Sequence, residues 1–70
     1  MEMIQVESST IVAIGYDKES RRLRVQFKKS IYDYYDVPEY VHYEMMQSGS
    51  KGDYLNVVIK GNYNYKKVSG

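Results

Sequence analysis

The stretch Ile31-Tyr-Asp-Tyr-Tyr-Asp-Val-Pro38 divides the chain and carries its single proline. Proline has no amide to donate to a sheet ladder, and it drives the residue before it out of helical geometry. Val37-Pro38 is therefore expected to close a strand and open a helix, with Pro38 in the first turn and Asp36 or Val37 as the boundary. Ahead of this point the apolar residues come in β-branched or alternating runs. Behind it they come in helical spacings.

Met1 to Glu7 reads as a loose lead-in. Ile11-Val-Ala-Ile-Gly-Tyr16 has the length and β-branched content of a strand. Alternation sorts Val12, Ile14 and Tyr16 from the smaller set Ile11, Ala13 and Gly15, so the larger set is expected to face the core. Gly15 marks a bulge or a close backbone approach. Asp17 to Arg22 reads as a turn. Leu23-Arg-Val-Gln-Phe27 alternates cleanly, with Leu23, Val25 and Phe27 inward and Arg22, Arg24, Gln26 and Lys28 outward. Lys28-Lys29-Ser30 reverses the chain. A three-residue hairpin commonly ends on a left-handed residue, and Ser30 there would carry a cost of about 1–2 kcal/mol. Ser30→Gly is then expected to stabilise. The third strand, Ile31 to Asp36, has Tyr32 and Tyr34 on one face and Ile31, Asp33 and Tyr35 on the other. Aspartates of both parities argue against its being fully buried.

Past Pro38, Val41, His42, Met45 and Met46 line one helical face, and Gly49 is a natural stop. Ser50-Lys-Gly-Asp53 matches a capping box. Tyr54-Leu-Asn-Val-Val-Ile59 is β-branched like a strand, yet Tyr54, Leu55, Val58 and Ile59 repeat the helical spacing and Gly61 follows as a stop. A helix is chosen. Asn62 to Gly70 reads as a polar tail.

The fold predicted is α+β: a three-stranded antiparallel meander sheet followed by two short helices packed on one face. If Tyr54 to Ile59 is a strand, the sheet gains a fourth strand and loses one helix. The expected core is Val12, Ile14, Leu23, Val25, Phe27, Tyr34, Val41, Met45, Leu55, Val58 and Ile59. At 70 residues this is one domain, 1–70, with an ordered part of about 6–65 and frayed ends. A core of this size rarely supplies more than about 3–5 kcal/mol of net stability. No cysteine is present to add a disulfide or a thiolate metal site. That suits a reducing, cytoplasmic setting, and no apolar run approaches a membrane span. The acidic start Met1-Glu-Met-Ile is unlike a secretory signal.

Catalytic chemistry finds little support. His42 is the sole histidine and has no companion for a metal site or triad, so it is read as a packing residue. Asp33 and Asp36 point to opposite faces of a strand and are read as solvated or capping. The glycines fit no phosphate loop. No enzyme, cofactor or metal is expected. Binding has more to work with. Nine tyrosines against one phenylalanine supply amphipathic rings. A net charge of +1 gives no bulk attraction for nucleic acid, so any basic patch must be local. The outward strip Arg22, Arg24 and Lys28, with Lys29 beside it, is the best such patch. Tyr35 is the expected exposed ring for stacking on bases. Tyr32 and Tyr34, on one strand face, are weighed as a base-stacking pair against cover for the helices, and cover is favoured. Tyr63-x-Tyr65-Lys66-Lys67 adds rings beside charge.

Taken as an ordered set, several pieces resemble the KTSC domain. They are Ser9-x-Ile11, Gly15-Tyr16-Asp17, Leu23-x-Val25-x-Phe27, Tyr32-x-Tyr34, Val37-Pro38, Ser50-Lys51-Gly52, Leu55-Asn56, Ile59-Lys60 and Tyr63-x-Tyr65. That family is named for an extension at the C-terminus of some lysyl-tRNA synthetases and also occurs as free-standing bacterial proteins. The resemblance covers about Val6 to Tyr65. Ser30 stands where the family commonly has glycine, Lys60 where arginine is frequent, and His42 where an aromatic is frequent. It implies a small non-enzymatic binding module with RNA as the partner, and it adds Lys60 to the sites above. The alternative is a protein-interaction module that uses exposed tyrosines as anchors.

Overall fold

The computed structural model describes residues 1–69. Five strands form one antiparallel sheet in the order of the chain: β1 Met3–Gln5, β2 Ile11–Asp17, β3 Arg22–Phe27, β4 Ile31–Tyr34 and β5 Tyr65–Ser69. Between β4 and β5 come helix α1, Glu39–Gln47, helix α2, Lys51–Tyr54, and a π-helical turn, Leu55–Ile59, that continues α2. The architecture is the expected α+β, but with five strands rather than three. The segments read as a lead-in and a tail are the two edge strands of the sheet.

Both edges have identifiable causes. Met3 pairs with Gly15, where a Cβ would sit 2.9 Å from the Glu2 carbonyl oxygen. Only glycine lets β1 approach there. β5 pairs with β4, Tyr65 opposite Tyr34 and Lys67 opposite Tyr32, and every residue in it is exposed. Its Tyr-Lys-Lys-Val-Ser sequence has no buried face, so periodicity cannot reveal it. Lysines on such an edge discourage pairing with another chain.

The core is Ile11, Ile14, Leu23, Val25 and Tyr34 from the sheet, packed with Val37, Val41, Met45, Leu55 and Ile59. Eight of these match the expected core, and Phe27 and Val58 pack at its margin. Ile11 replaces Val12 because β2 carries a bulge. Ile11 pairs with Phe27 and Ala13 with Gln26, so Val12 is the extra residue and the alternation shifts. The run 55–59 is helical, not a strand. Lys60 N–H donates to the Leu55 carbonyl at 2.8 Å, an i to i−5 bond, and Leu55 and Ile59 are buried while Val57 is 75% exposed.

Pro38 is extended, with ψ of 150°, and caps α1, so the helix starts at Glu39 rather than including Pro38. The Ser50 hydroxyl accepts from Asp53 N–H at 3.3 Å, but Ser50 N–H donates to the Ser48 hydroxyl at 3.2 Å. Only half of the capping box is made. His42 stacks on Tyr16 with ring centroids 4.8 Å apart and planes 9° from parallel. Its role is packing, and burial lowers its pKa despite the nearby Glu39 carboxylate.

Ser30 is not left-handed. The non-glycine residues with positive φ are Arg21 and Asp36, both at 58°. The β3–β4 hairpin closes more tightly than a three-residue loop, with Phe27 N–H donating to the Ser30 carbonyl at 2.8 Å. Ser30→Gly therefore relieves no strain.

Aspartate tolerates the left-handed region better than arginine does. Arg21→Gly is expected to stabilise the fold by about 0.5–1 kcal/mol, the left-handed cost less the extra freedom of glycine in the unfolded chain, and equilibrium denaturation should show it as a higher midpoint. The depressed His42 pKa makes a second prediction. A neutral histidine favoured by folding contributes stability above the unfolded pKa of about 6.5, and that contribution is lost as pH falls below it. The melting temperature should fall on acidification through this window, and His42→Phe should flatten the slope.

Candidate nucleic-acid interface

Beyond Ile59 the helical segment ends, and Gly61 turns the chain with φ of +85° toward β5. The end of the sheet's helix-bearing face over β4 and β5 is left as an open concave site of about 640 Å3. Phe27, Ser30, Tyr32, Tyr34, Lys60, Gly61 and Tyr65 line it. Register explains the rings. Tyr34 and Tyr65 are directly opposite, and Tyr32 lies two residues along the same face. Phe27 meets Tyr32 edge-on at 5.9 Å. The Tyr65 ring lies 5.8 Å from Tyr32 and 5.9 Å from Tyr34, tilted by 44° and 41°. Tyr34 is 3% exposed and belongs to the core, and burial raises its pKa. Tyr65 is 63% exposed, and Tyr32 is half-buried.

One cation lines the rings and three others lie on neighbouring segments. Lys60 is exposed and lines the site. Lys67 pairs with Tyr32 and so shares its face of the sheet. Lys28 and Lys29, both exposed, follow Phe27 in the hairpin turn.

A second concavity of about 450 Å3 adjoins the first and is more polar. It is lined by Tyr35, Asp36, Gly61, Asn62, Tyr63, Asn64 and Tyr65. Gly61 and Tyr65 belong to both. The Tyr35 N–H donates to the Asn64 carbonyl at 2.9 Å, which holds the two walls together.

The opposite face of the sheet is organised around Asp33. Arg24 donates Nε to Oδ1 at 2.7 Å and Nη2 to Oδ2 at 2.9 Å, a two-pronged pair. The Arg22 Nε lies 3.5 Å from Oδ2, an ion-pair distance without a hydrogen bond. Asp33 is 2% exposed. It is neither solvated nor a helix cap, which corrects the sequence reading. The Asp33 carboxylate raises the Arg24 pKa by hydrogen bonding.

The sequence-predicted residues therefore separate. Lys60 lines the aromatic site, Lys28 lies at its hairpin end, and Tyr35 opens onto the adjoining concavity. Arg22 and Arg24 lie on the far face, engaged with Asp33. Asn56 and Lys60, four apart, open onto different concavities, Asn56 beside the Ser8–Thr10 loop. The residue that sequence reasoning undervalued is Tyr65. Its signal was its place in Tyr63-x-Tyr65-Lys66-Lys67, which only strand pairing brings beside Tyr32. Among the described residues, no three His, Cys, Asp or Glu side chains gather as metal ligands, and no helix is long and apolar enough to cross a membrane.

The model of the KTSC domain matches residues 7–63. The chain belongs to the KTSC domain family. A crystal structure of a KTSC domain protein from Yersinia pestis superposes with a TM-score of 0.94 at 39% identity, covering 97% of each chain. This KTSC domain is also 35% identical over 68 residues to a lysine–tRNA ligase of Nostoc sp. strain PCC 7120. That match covers 96% of this chain and 12% of the ligase. The domain thus spans about an eighth of the length of the ligases it matches. An uncharacterised protein of Stutzerimonas stutzeri is 31% identical over 70 residues, covering 97% of this chain and 99% of that protein. The family occurs both within a large protein and as a small one.

Asp33→Ala would leave two guanidinium groups without their shared acceptor on a partly covered face. It is expected to cost about 2 kcal/mol, discounted from fully buried values because both arginines reach solvent. Equilibrium denaturation of Asp33→Ala beside Arg24→Ala measures this, and the two losses should not add.

Proposed function

We propose that this KTSC domain is a non-enzymatic RNA-binding module. The observation that carries this reading is the convergence of Phe27, Tyr32 and Tyr65 with Lys60 on one open concave site. Bases stack on aromatic rings through their π-faces, and lysines neutralise phosphates. A domain of net charge +1 needs such local concentration to hold a polyanion. The kinship with lysine–tRNA ligases, named for an RNA partner, supports the same reading.

In this reading Lys60 and Lys28 contact phosphates, and Tyr35 offers a ring at the adjoining concavity. Arg22 and Arg24 contribute less, because Asp33 takes hydrogen bonds from Arg24 Nε and Nη2 and its charge offsets that of Arg22 at ion-pair distance. Cytoplasmic placement accords with an RNA partner.

A second reading rests on Tyr40, Tyr43 and Val57, which are large, apolar and exposed on the helical segments. Such residues anchor protein partners. A partner recovered on this surface after nuclease treatment would favour protein interaction over RNA.

Titration with single-stranded RNA at low salt should give saturable binding that weakens steeply as salt rises. Lys60→Glu should weaken it severalfold without lowering the melting temperature, because Lys60 is exposed. Arg24→Ala should do the reverse. No binding at about 100 μM protein, within the range of non-specific dissociation constants, removes the RNA reading.

A further inference from the structure

The two concavities share Tyr65 and Gly61, and their linings differ in kind. On one side of Tyr65 lie Phe27, Tyr32 and Lys60. On the other lie Asp36, Asn62 and Asn64 with the Tyr35 and Tyr63 rings. We propose that Tyr65 is a dividing blade, and that the site takes two successive unpaired nucleotides of one RNA strand, one base on each side of it. This inference rests on the RNA reading above and specifies its ligand.

Each concavity, about 640 and about 450 Å3, falls within the span of small-ligand sites, about 300–1,000 Å3. Tyr65 lines both, and its pairing with Tyr34 fixes the sheet face it leaves by. Its tilt against Tyr32 and Tyr34 means that neither neighbour covers its ring face-to-face. Gly61 forms the saddle beside it. A Cβ there would meet no atom within 4 Å, so the saddle has open space above it for a sugar–phosphate crossing.

Charge sets which part of the ligand goes where. Among the described residues, the only side-chain charge lining the larger concavity is Lys60, which attracts a phosphate. Among the described residues lining the smaller, the charged one is Asp36, which repels phosphate and accepts hydrogen bonds. Asn62 Nδ2 already donates to the Val58 carbonyl at 2.8 Å, which fixes that side chain. The smaller concavity thus suits the hydrogen-bonding edge of a base, while the larger suits a stacked base with its phosphate toward Lys60. Paired bases in a duplex remain stacked on each other and cannot straddle a ring, so duplex RNA is excluded from this arrangement.

The test is a length series on the full chain: a mononucleotide, a dinucleotide, a tetranucleotide and a blunt RNA duplex, followed by anisotropy or NMR shifts. The dinucleotide should bind about tenfold tighter than the mononucleotide, the contribution of about one stacked base, and the duplex should compete poorly. Tyr65→Ala should abolish the gain from the second nucleotide, and Tyr65→Phe should keep it. A photoreactive thiouridine dinucleotide on the unmodified protein gives a readout independent of how the variants fold. Adducts on Tyr65 or the residues flanking it support the arrangement. Equal binding of one and two nucleotides, duplex binding as tight as single-stranded, or adducts confined to the Arg22–Arg24 face overturn it while leaving RNA binding intact. Failure of every RNA to bind overturns both.

Discussion

The corner at Val37 ties the sheet to the helices. Its N–H donates to the Arg21 carbonyl at 2.9 Å, its carbonyl accepts from the Tyr16 hydroxyl at 2.5 Å, and its side chain is fully buried. β2, the β2–β3 turn and the end of β4 therefore meet at one residue. Arg21 and Asp36, the two left-handed non-glycine residues, are the one that supplies that carbonyl and the one that precedes Val37. Backbone cost is concentrated where the path of the chain changes most sharply, and it is held there by a buried side chain and two hydrogen bonds.

From that corner the two sheet faces take different courses. One face is covered by α1, α2 and the π-helical turn, except at its β4–β5 end. The turn widens the last helical segment and sets Lys60 at the rim of the uncovered end. The other face is only partly covered and completes its charges internally, through Asp33 and its two arginines. A basic strip that looks available in sequence can be spent within the sheet, whereas one lysine that looks isolated can line an aromatic concavity.

The inward set of β3, the α1 packing face and the helical reading of residues 55–59 were legible because burial imposes a period on sequence. Val12 misled because one extra residue in β2 shifts that period without leaving a mark in composition. Asp33 misled because its partners, Arg22 and Arg24, lie on the neighbouring strand, and pairing across strands is not written in either segment alone. β1 and β5 were illegible for a different reason. β5 buries no side chain and β1 little, so what defines them is backbone pairing, to which the Gly15 gap contributes only a hint. The same holds for the aromatic site. Its rings come from three strands, and only the β4–β5 register brings Tyr65 to Tyr32.

The order of the strands has one more consequence. β1 and β5 are opposite margins of the sheet, so the chain enters on one side of the molecule and the Tyr65 site lies on the other. Any polypeptide joined ahead of Met1 would be tethered about as far from that site as a sheet of this width allows. A host protein could carry the module without shading it, and the same geometry would serve a free-standing copy equally well.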